Sequence, residues 1–446
     1  MKPKLITIFE HDYLVRDGGK LSDHDFDKLY SYVCSENRKA EINNSLDTWL
    51  LKPCSKKCKQ ALKATQYIGI IQFDDGVVLE ILPKIFKMKS ADEQNSSNDK
   101  REIDSQGRTP EESARSLVLK MLRTLKSTNF KNIHKAGLNY AKMHLLEIFV
   151  WMFLDEIDSI VKQGIKSKYI QQQDNLNFFK GKLLVNQNIA KNHGLMHKNY
   201  MQYDDYLPNI PENRLIKSAL GYLLKICNSS RLLQEIRKSY FIFAEVPNSQ
   251  DIQQDYTQCN KNSRIFSHYQ NALEWGMVFL TGNSFTTQVG SHNVKSLLFD
   301  MNKLFESYVG DYLLKHPDYH SVKFQDSQHY MLYSGSNKLY KLKPDFKFKH
   351  KDQLDKFIIA DAKWKYITQE KNLSQADLYQ MFAYHHKYDK AEVWLIYPLH
   401  DCVAKDIKNK QFSFDGNQVN LCIKFFDLDA NNSRKLVNNA TASYIN

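Results

Sequence analysis

The apolar positions change their period several times along the 446 residues, and each change marks a new type of element. Leu5 to Phe9 is a short run with strand character. Tyr67 to Phe73 and Val77 to Leu82 are rich in β-branched and aromatic residues, and Asp74-Asp75-Gly76 between them supplies the positive φ of a tight hairpin. Pro83 ends that ladder, since it has no N–H to donate. Residues 88–116 are polar and nearly free of large side chains, too poor in apolar surface to offset ordering entropy, and are expected to form a flexible linker or insertion. Helical spacing follows. Leu117, Leu119, Leu122 and Leu125, then Leu145, Leu146, Ile148, Phe149 and Phe153, return with helical periodicity. Two more helices are expected, after Pro211 through Leu224 and from His268 to about Leu280, with 171–210 mixed.

Beyond Val294 the pattern alternates. A helix is predicted from Lys295 to about Leu314, then strands at 321–324, 343–348 and 357–360, a helix over 374–386, and strands at 391–397 and 419–426. Such an order belongs to an α/β (α+β) fold around a small mixed sheet. The chain is long for one core. It divides on this reading into a β-rich region 1–87, the linker 88–116, a mainly helical middle 117–290 and a C-terminal domain 291–446.

Charge narrows the class of partner. The chain carries 62 Lys+Arg against 50 Asp+Glu, a formal excess of +12. A basic surface suits a polyanion, because each neutralised phosphate releases a counterion, although a soluble basic protein has the same balance. The seven cysteines are scattered and odd in number, which argues against a disulfide framework. Cys54 and Cys58 lack a second Cys/His pair at zinc spacing. The longest apolar run, Leu145 to Leu154, is too short to span a bilayer, and the opening residues do not read as a secretory leader. A cytoplasmic setting with no membrane partner is expected.

The sharpest chemistry lies near residue 350. Pro344-Asp345 is followed sixteen positions later by Asp361-Ala362-Lys363, the second aspartate ending the apolar run Phe357 to Ala360. Two carboxylates on neighbouring strands can hold Mg²⁺ (with Mn²⁺ as a substitute) beside a phosphate, with the Ala362 carbonyl as a further oxygen donor. Lys363, two residues past Asp361, projects from the same strand face and can orient the attacking water. Glu306 on the upstream helix is expected to assist as a third carboxylate. Gln380 and Tyr384, four apart on a downstream helix, share one face and would support the site. Lys347, Lys349 and Lys351 alternate with Phe346, Phe348 and His350, giving one basic strand face. The sequence lacks Gly-x-x-x-x-Gly-Lys-[Ser/Thr], Gly-x-Ser-x-Gly and His-Glu-x-x-His, so P-loop, serine hydrolase and zincin chemistry are unsupported.

Taken together, the run Leu297 to Glu306, Lys343-Pro344-Asp345, Ala360 to Lys365 and Ala376 to Tyr384 resemble the McrC family, nuclease subunits of the McrBC modification-dependent restriction system, within the PD-(D/E)xK superfamily. Weaker likeness extends to Phe178-Phe179-Lys180-Gly181-Lys182, Asn213 to Lys217, Tyr67 to Ile71 and Ile81 to Ile85. The resemblance implies a subunit that cuts double-stranded DNA and stimulates a partner, an McrB-like AAA+ GTPase ring. GTP then acts only through that partner, and the N-terminal β-rich region docks into the ring. A non-cutting activator of a partner NTPase, or a stand-alone nuclease of another defence or repair system, are the alternatives.

Overall fold

In the computed structural model, residues 5–42, 51–73, 77–86, 107–125, 142–259, 264–281, 294–400, 402–403, 407–408, 410–414, 416, 420–428 and 435–436 are described. The chain forms two compact units. The larger comprises Leu5–Gln72, Val77–Leu145 and Ser296–Asn446, and the smaller is built mainly from Leu146–Lys295.

The larger unit is organised by a mixed sheet. Its strands run in the order Tyr319–Phe324, Phe346–His350, Gln353–Ala362, Glu392–Pro398, Leu421–Asp427 and Gln411–Phe412. The first three are antiparallel, and the third to fifth are parallel neighbours. Side chains alternate across a strand, so each face recruits its own helix. Ile359, Val393, Leu395, Ile423 and Phe425 pack with Met381 and Tyr384 of helix Gln375–Lys387. Phe426, one residue on, meets Phe305, Tyr308 and Tyr312 of helix Met301–Lys315 at centroid distances of 6.2, 5.7 and 5.2 Å. The helices therefore cover opposite faces.

A second sheet in this unit joins distant parts of the chain, in the order Leu5–Phe9, Val78–Leu82, Tyr67–Phe73, Val294–Asp300. The antiparallel pairing of Gln72 with Val78 fits the expected hairpin, whose turn, Asp74 to Gly76, lies outside the described residues. Gly69 is required where this sheet closes: its φ is +134°, and a Cβ there would lie 2.1 Å from the Leu297 carbonyl oxygen. A smaller antiparallel sheet, Tyr13–Val15, Lys59–Ala64 and Leu51–Lys56, completes the N-terminal part with the helix Asp23–Ile42.

The smaller unit holds the helices Pro211–Ile226, Ser230–Ile242, Ile252–Gln258 and Gln270–Thr281, most of Leu145–Gln163, and a three-stranded sheet. Phe149 and Phe153 meet Trp275 and Phe279 with centroids 5.6 Å apart in each pair, as the spacing of their helices predicts. No helix among the described residues is long and apolar enough to cross a membrane.

Three expectations are corrected. Val294–Asp300 is a strand, and the helix starts at Met301, because the side chain of Asp300 accepts from Asn302 N and caps it. The polar stretch assigned to 88–116 ends in a helix, Pro110–Leu122, opened by a capping box in which Thr109 and Glu112 bond each other's backbone. Residues 87–106 lie outside the described residues. The strands of 1–87 also fall in the same compact unit as 296–446, so the boundaries drawn from sequence do not coincide with the observed units. Strand pairing between residues more than 200 apart leaves no periodic trace in sequence.

Candidate active site

Asp345 ends the loop before strand Phe346–His350, and Asp361 is the penultimate residue of strand Gln353–Ala362. The register sets Phe346 opposite Ala360, which brings the two aspartates together. Asp345 Oδ2 accepts from the Ala362 N–H at 2.8 Å, and Asp345 O accepts from Gln325 N at 2.9 Å. Lys363 forms an ion pair with Asp361 Oδ2. The two-residue spacing therefore does place both on one side of the strand, as expected.

The other expected residues take supporting positions. Gln380 Nε2 donates to Tyr384 OH at 2.9 Å, and burial with the nearby charges of Asp361 and Asp345 raises the Tyr384 phenol. Glu306 accepts at Oε1 from Gln325 Nε2, 3.0 Å away, and feels the charges of Asp361, Lys343 and Lys363. The backbone N–H of Ala362 is committed to Asp345.

The electrostatics are those of crowded carboxylates, Asp361 buried and Asp345 and Glu306 half-buried. Burial, then repulsion from Asp361 and Glu306, pushes Asp345 up to about 8 despite the Ala362 hydrogen bond. Burial also raises Asp361, against the pull of Lys363, and raises Glu306. Burial alone would lower Lys363, but Asp361 and Asp345 reverse that and leave it raised, firmly an ammonium. Beside Asp361, Asp345 therefore keeps its proton at neutral pH unless further positive charge is added.

A divalent cation fits this need. Asp361 Oδ2 is buried, and the Lys363 ammonium is its ion-pair partner. Among the described residues no three His, Cys, Asp or Glu side chains form a complete metal-holding group. Two carboxylates match Mg²⁺, which keeps several waters and takes its remaining ligands from phosphate.

Several contributors were not legible beforehand. Lys365 bonds both oxygens of buried Asp377, at 2.9 and 2.7 Å, on the first turn of helix Gln375–Lys387; the Lys-x-Lys alternation after Asp361 was the only hint. Gln325 gave no signal. Glu10, buried, accepts from Trp364 Nε1 at 3.0 Å across 354 positions of sequence, and burial pushes it up to about 7. The basic strand face is partly spoken for. Lys347 approaches Asp326 at 3.8 Å, Lys351 pairs with Asp318 at 2.7 Å, and Lys347 and Lys349 both lie over the Phe357 ring.

With this geometry in place, comparison with known families is decisive. The model of the McrBC 5-methylcytosine restriction system component family matches residues 62–398, a span that includes every site residue from Glu306 to Tyr384. The chain belongs to that family. No curated protein matches the sequence. Among solved structures, a chain in the refined half-complex from a tetradecameric assembly of Thermococcus gammatolerans McrB AAA+ hexamers with bound McrC has the same fold, with a TM-score of 0.66 at 17% identity over 96% of each chain. A chain in the cryo-EM structure of the Thermococcus gammatolerans McrBC complex gives a TM-score of 0.48 at 17% identity, over 70% of this chain and 88% of that one. The McrBC family match thus covers the whole Asp345, Asp361 and Lys363 constellation, while the first structural likeness supports the fold.

Proposed function

We propose that this McrBC family component is the Mg²⁺-dependent DNA endonuclease subunit of a modification-dependent restriction complex, acting with an AAA+ GTPase ring. The observation that carries the reading is buried Asp361 held against half-buried Asp345, with Lys363 ion-paired beside it. A non-cutting scaffold has no physical reason to hold desolvated carboxylates against each other. The partner ring is suggested by the McrB AAA+ hexamers of the similar assembly.

Asp345 and Asp361 would hold the ion, and Glu306 adds negative charge beside it. Bound Mg²⁺ supplies Lewis-acid polarisation of the phosphate and a more acidic water. Lys363 orients the attacking water and offsets charge building on the phosphoryl oxygens, held in place by Asp361 and by its own N–H to Ile396 O at 2.9 Å. Gln380 and Tyr384, bonded to each other at 2.9 Å, would support the site from helix Gln375–Lys387. The test is reconstitution with a ring GTPase, methylated double-stranded DNA, Mg²⁺ and GTP. Cleavage that needs all four supports the reading, and GTP turnover without any strand break overturns it.

Lys363→Ala should lower the cleavage rate by roughly 10²–10³-fold, the usual loss for one preorganised electrostatic group. Mg²⁺ affinity by calorimetry should change little, and its collapse would make Lys363 a structural residue.

Metal uptake should release a proton. Asp345 is raised to about 8, so in the metal-free protein it is protonated at neutral pH. Mg²⁺ affinity should rise with pH and level off above about 8. The folded state binds this proton more tightly than the unfolded state does. Metal-free stability is therefore fullest below the unfolded carboxyl pKa of about 4 and declines as pH rises towards about 8. Asp345→Asn should remove its share of that slope. Thermal melting of both proteins in chelator across this range checks the sign, and equal slopes would refute it.

A further inference from the structure

Residues Tyr330–Ser334 and Asn337–Lys341 form an antiparallel hairpin that pairs with no other strand among the described residues. It sets Tyr330 opposite Lys341, Leu332 opposite Leu339 and Ser334 opposite Asn337, and Gly335, with φ +58°, turns the chain. Its apolar side chains are largely bare: Tyr340 is 72% exposed and Tyr333 59%, with Met331, Leu332 and Leu339 exposed beside them. A lone two-stranded hairpin is marginal in water, and so much uncovered apolar surface marks a place of contact.

The base of the ribbon is fixed. The His329 ring lies 4.2 Å from Tyr388, Leu342 packs on the core under helix Gln375–Lys387, and Leu342 N donates to His329 O at 2.9 Å. Two residues beyond Lys341 comes Lys343, and Asp345 follows. The hairpin is thus continuous with the catalytic loop.

Its charge has one sign. Between Tyr330 and Lys343 stand Lys338, Lys341 and Lys343 and no acidic residue, and Lys387 lies 5.6 Å over the Tyr333 ring. An apolar, aromatic ribbon edged by lysines complements a nucleic-acid groove walled by phosphates. We propose that this hairpin is the DNA-gripping element of the subunit, with Lys338 and Lys341 on backbone phosphates and Leu332, Tyr333 and Tyr340 against the sugars and base edges of a duplex groove beside the scissile phosphate. The assignment rests on the DNA-cutting reading above. Exposed wedges of this kind press between base steps in other minor-groove contacts.

The experiment uses the full chain, a fluorescein-labelled DNA duplex, and Ca²⁺ in place of Mg²⁺ so that binding is read without cutting. Fluorescence anisotropy is followed between about 50 and 200 mM salt. Lys338→Ala with Lys341→Ala should flatten the slope of log affinity against log salt by about 2, close to 0.9 for each lost phosphate contact. Leu332→Ser, Tyr333→Ser and Tyr340→Ser together should weaken binding about tenfold or more, comparable to losing one stacked base contact, and leave the slope unchanged. Both variants should melt at the temperature of the unaltered chain, since these side chains are exposed. Duplex affinity and slope equal to the unaltered chain's would overturn the assignment, as would loss of ring association with DNA binding intact. In either case cleavage by the unaltered chain leaves the nuclease reading standing. If the unaltered chain neither binds nor cuts duplex, both readings fall.

Discussion

Asp361→Asn is expected to abolish the proposed DNA cleavage, lowering the rate by at least about 10³-fold, which corresponds to roughly 4 kcal/mol of lost transition-state stabilisation. The change keeps the shape of the side chain and removes the charge that would hold the metal. It should not unfold the protein. Asp361 is 1% exposed, burial raises it, and its neighbour Asp345 is raised by the Asp361 charge, so neutralising the site relieves strain rather than adding it. Lys363 loses its ion-pair partner, but its side chain is 24% exposed and can turn to water. The melting temperature in chelator should stay level or rise, whereas the gain in melting temperature on adding Mg²⁺ should disappear. GTP turnover by a partner ring should continue. Asp345→Asn should behave alike, since an amide oxygen still accepts from Ala362 N. Residual cutting within tenfold of the unaltered protein would remove Asp361 from the catalytic role.

Much of this site could be read in the chain itself. Asp-x-Lys spacing carries its own geometry, because a strand alternates faces every residue, and the ion pair between Asp361 and Lys363 follows from it. Gln380 and Tyr384 are four apart on a helix and meet at 2.9 Å for the same reason. Local rules fail where a short apolar run suits either element. Leu297-Leu298-Phe299 continues smoothly into helical Met301 and Leu304, and the partner strand Tyr67–Phe73 decides that the run is extended. The Thr109 capping box was legible as Thr-x-x-Glu, yet it opened in a polar stretch whose large apolar residues begin at Leu117. Long-range polar contacts are harder still. Nothing near Glu10 announces Trp364, and nothing near Lys347 announces Asp326. Pairings of that kind also explain why 1–87 does not stand apart: its strands share a sheet with Val294–Asp300, and a fragment beginning at residue 117 would lose the strands that this segment pairs with.

Arg115→Ala should destabilise the larger unit by about 3–5 kcal/mol, the cost of stranding a buried charge. The charge is Glu80, in the strand Val78–Leu82, with no exposed surface. Arg115, from helix Pro110–Leu122, grips it with a fork of two hydrogen bonds, 3.0 and 2.8 Å long. Thr7 Oγ1 donates to it at 2.8 Å and Leu145 N at 2.9 Å, so strand, helix and the next helix's first turn converge on one carboxylate. Burial alone would push Glu80 up, but His144, 3.6 Å away, and the hydrogen bonds and charge of Arg115 overcome it and hold it at about 2. Its contribution is therefore complete above the unfolded carboxyl pKa near 4 and is lost as pH falls through about 2. Without Arg115 the carboxylate must stay charged and unpaired or take up a proton. Arg115→Lys should cost less, because an ammonium restores charge but cannot reproduce the fork. Adding Glu80→Gln to Arg115→Ala should recover part of the loss: the amide oxygen still accepts from Thr7 or Leu145, and no charge is left buried. Urea unfolding of the unaltered chain, these three variants and Glu80→Gln alone at neutral pH, read on the transition of the larger unit, measures the coupling. A double variant less stable than Arg115→Ala alone would show that Glu80 is held by its other partners and that the Arg115 charge is incidental.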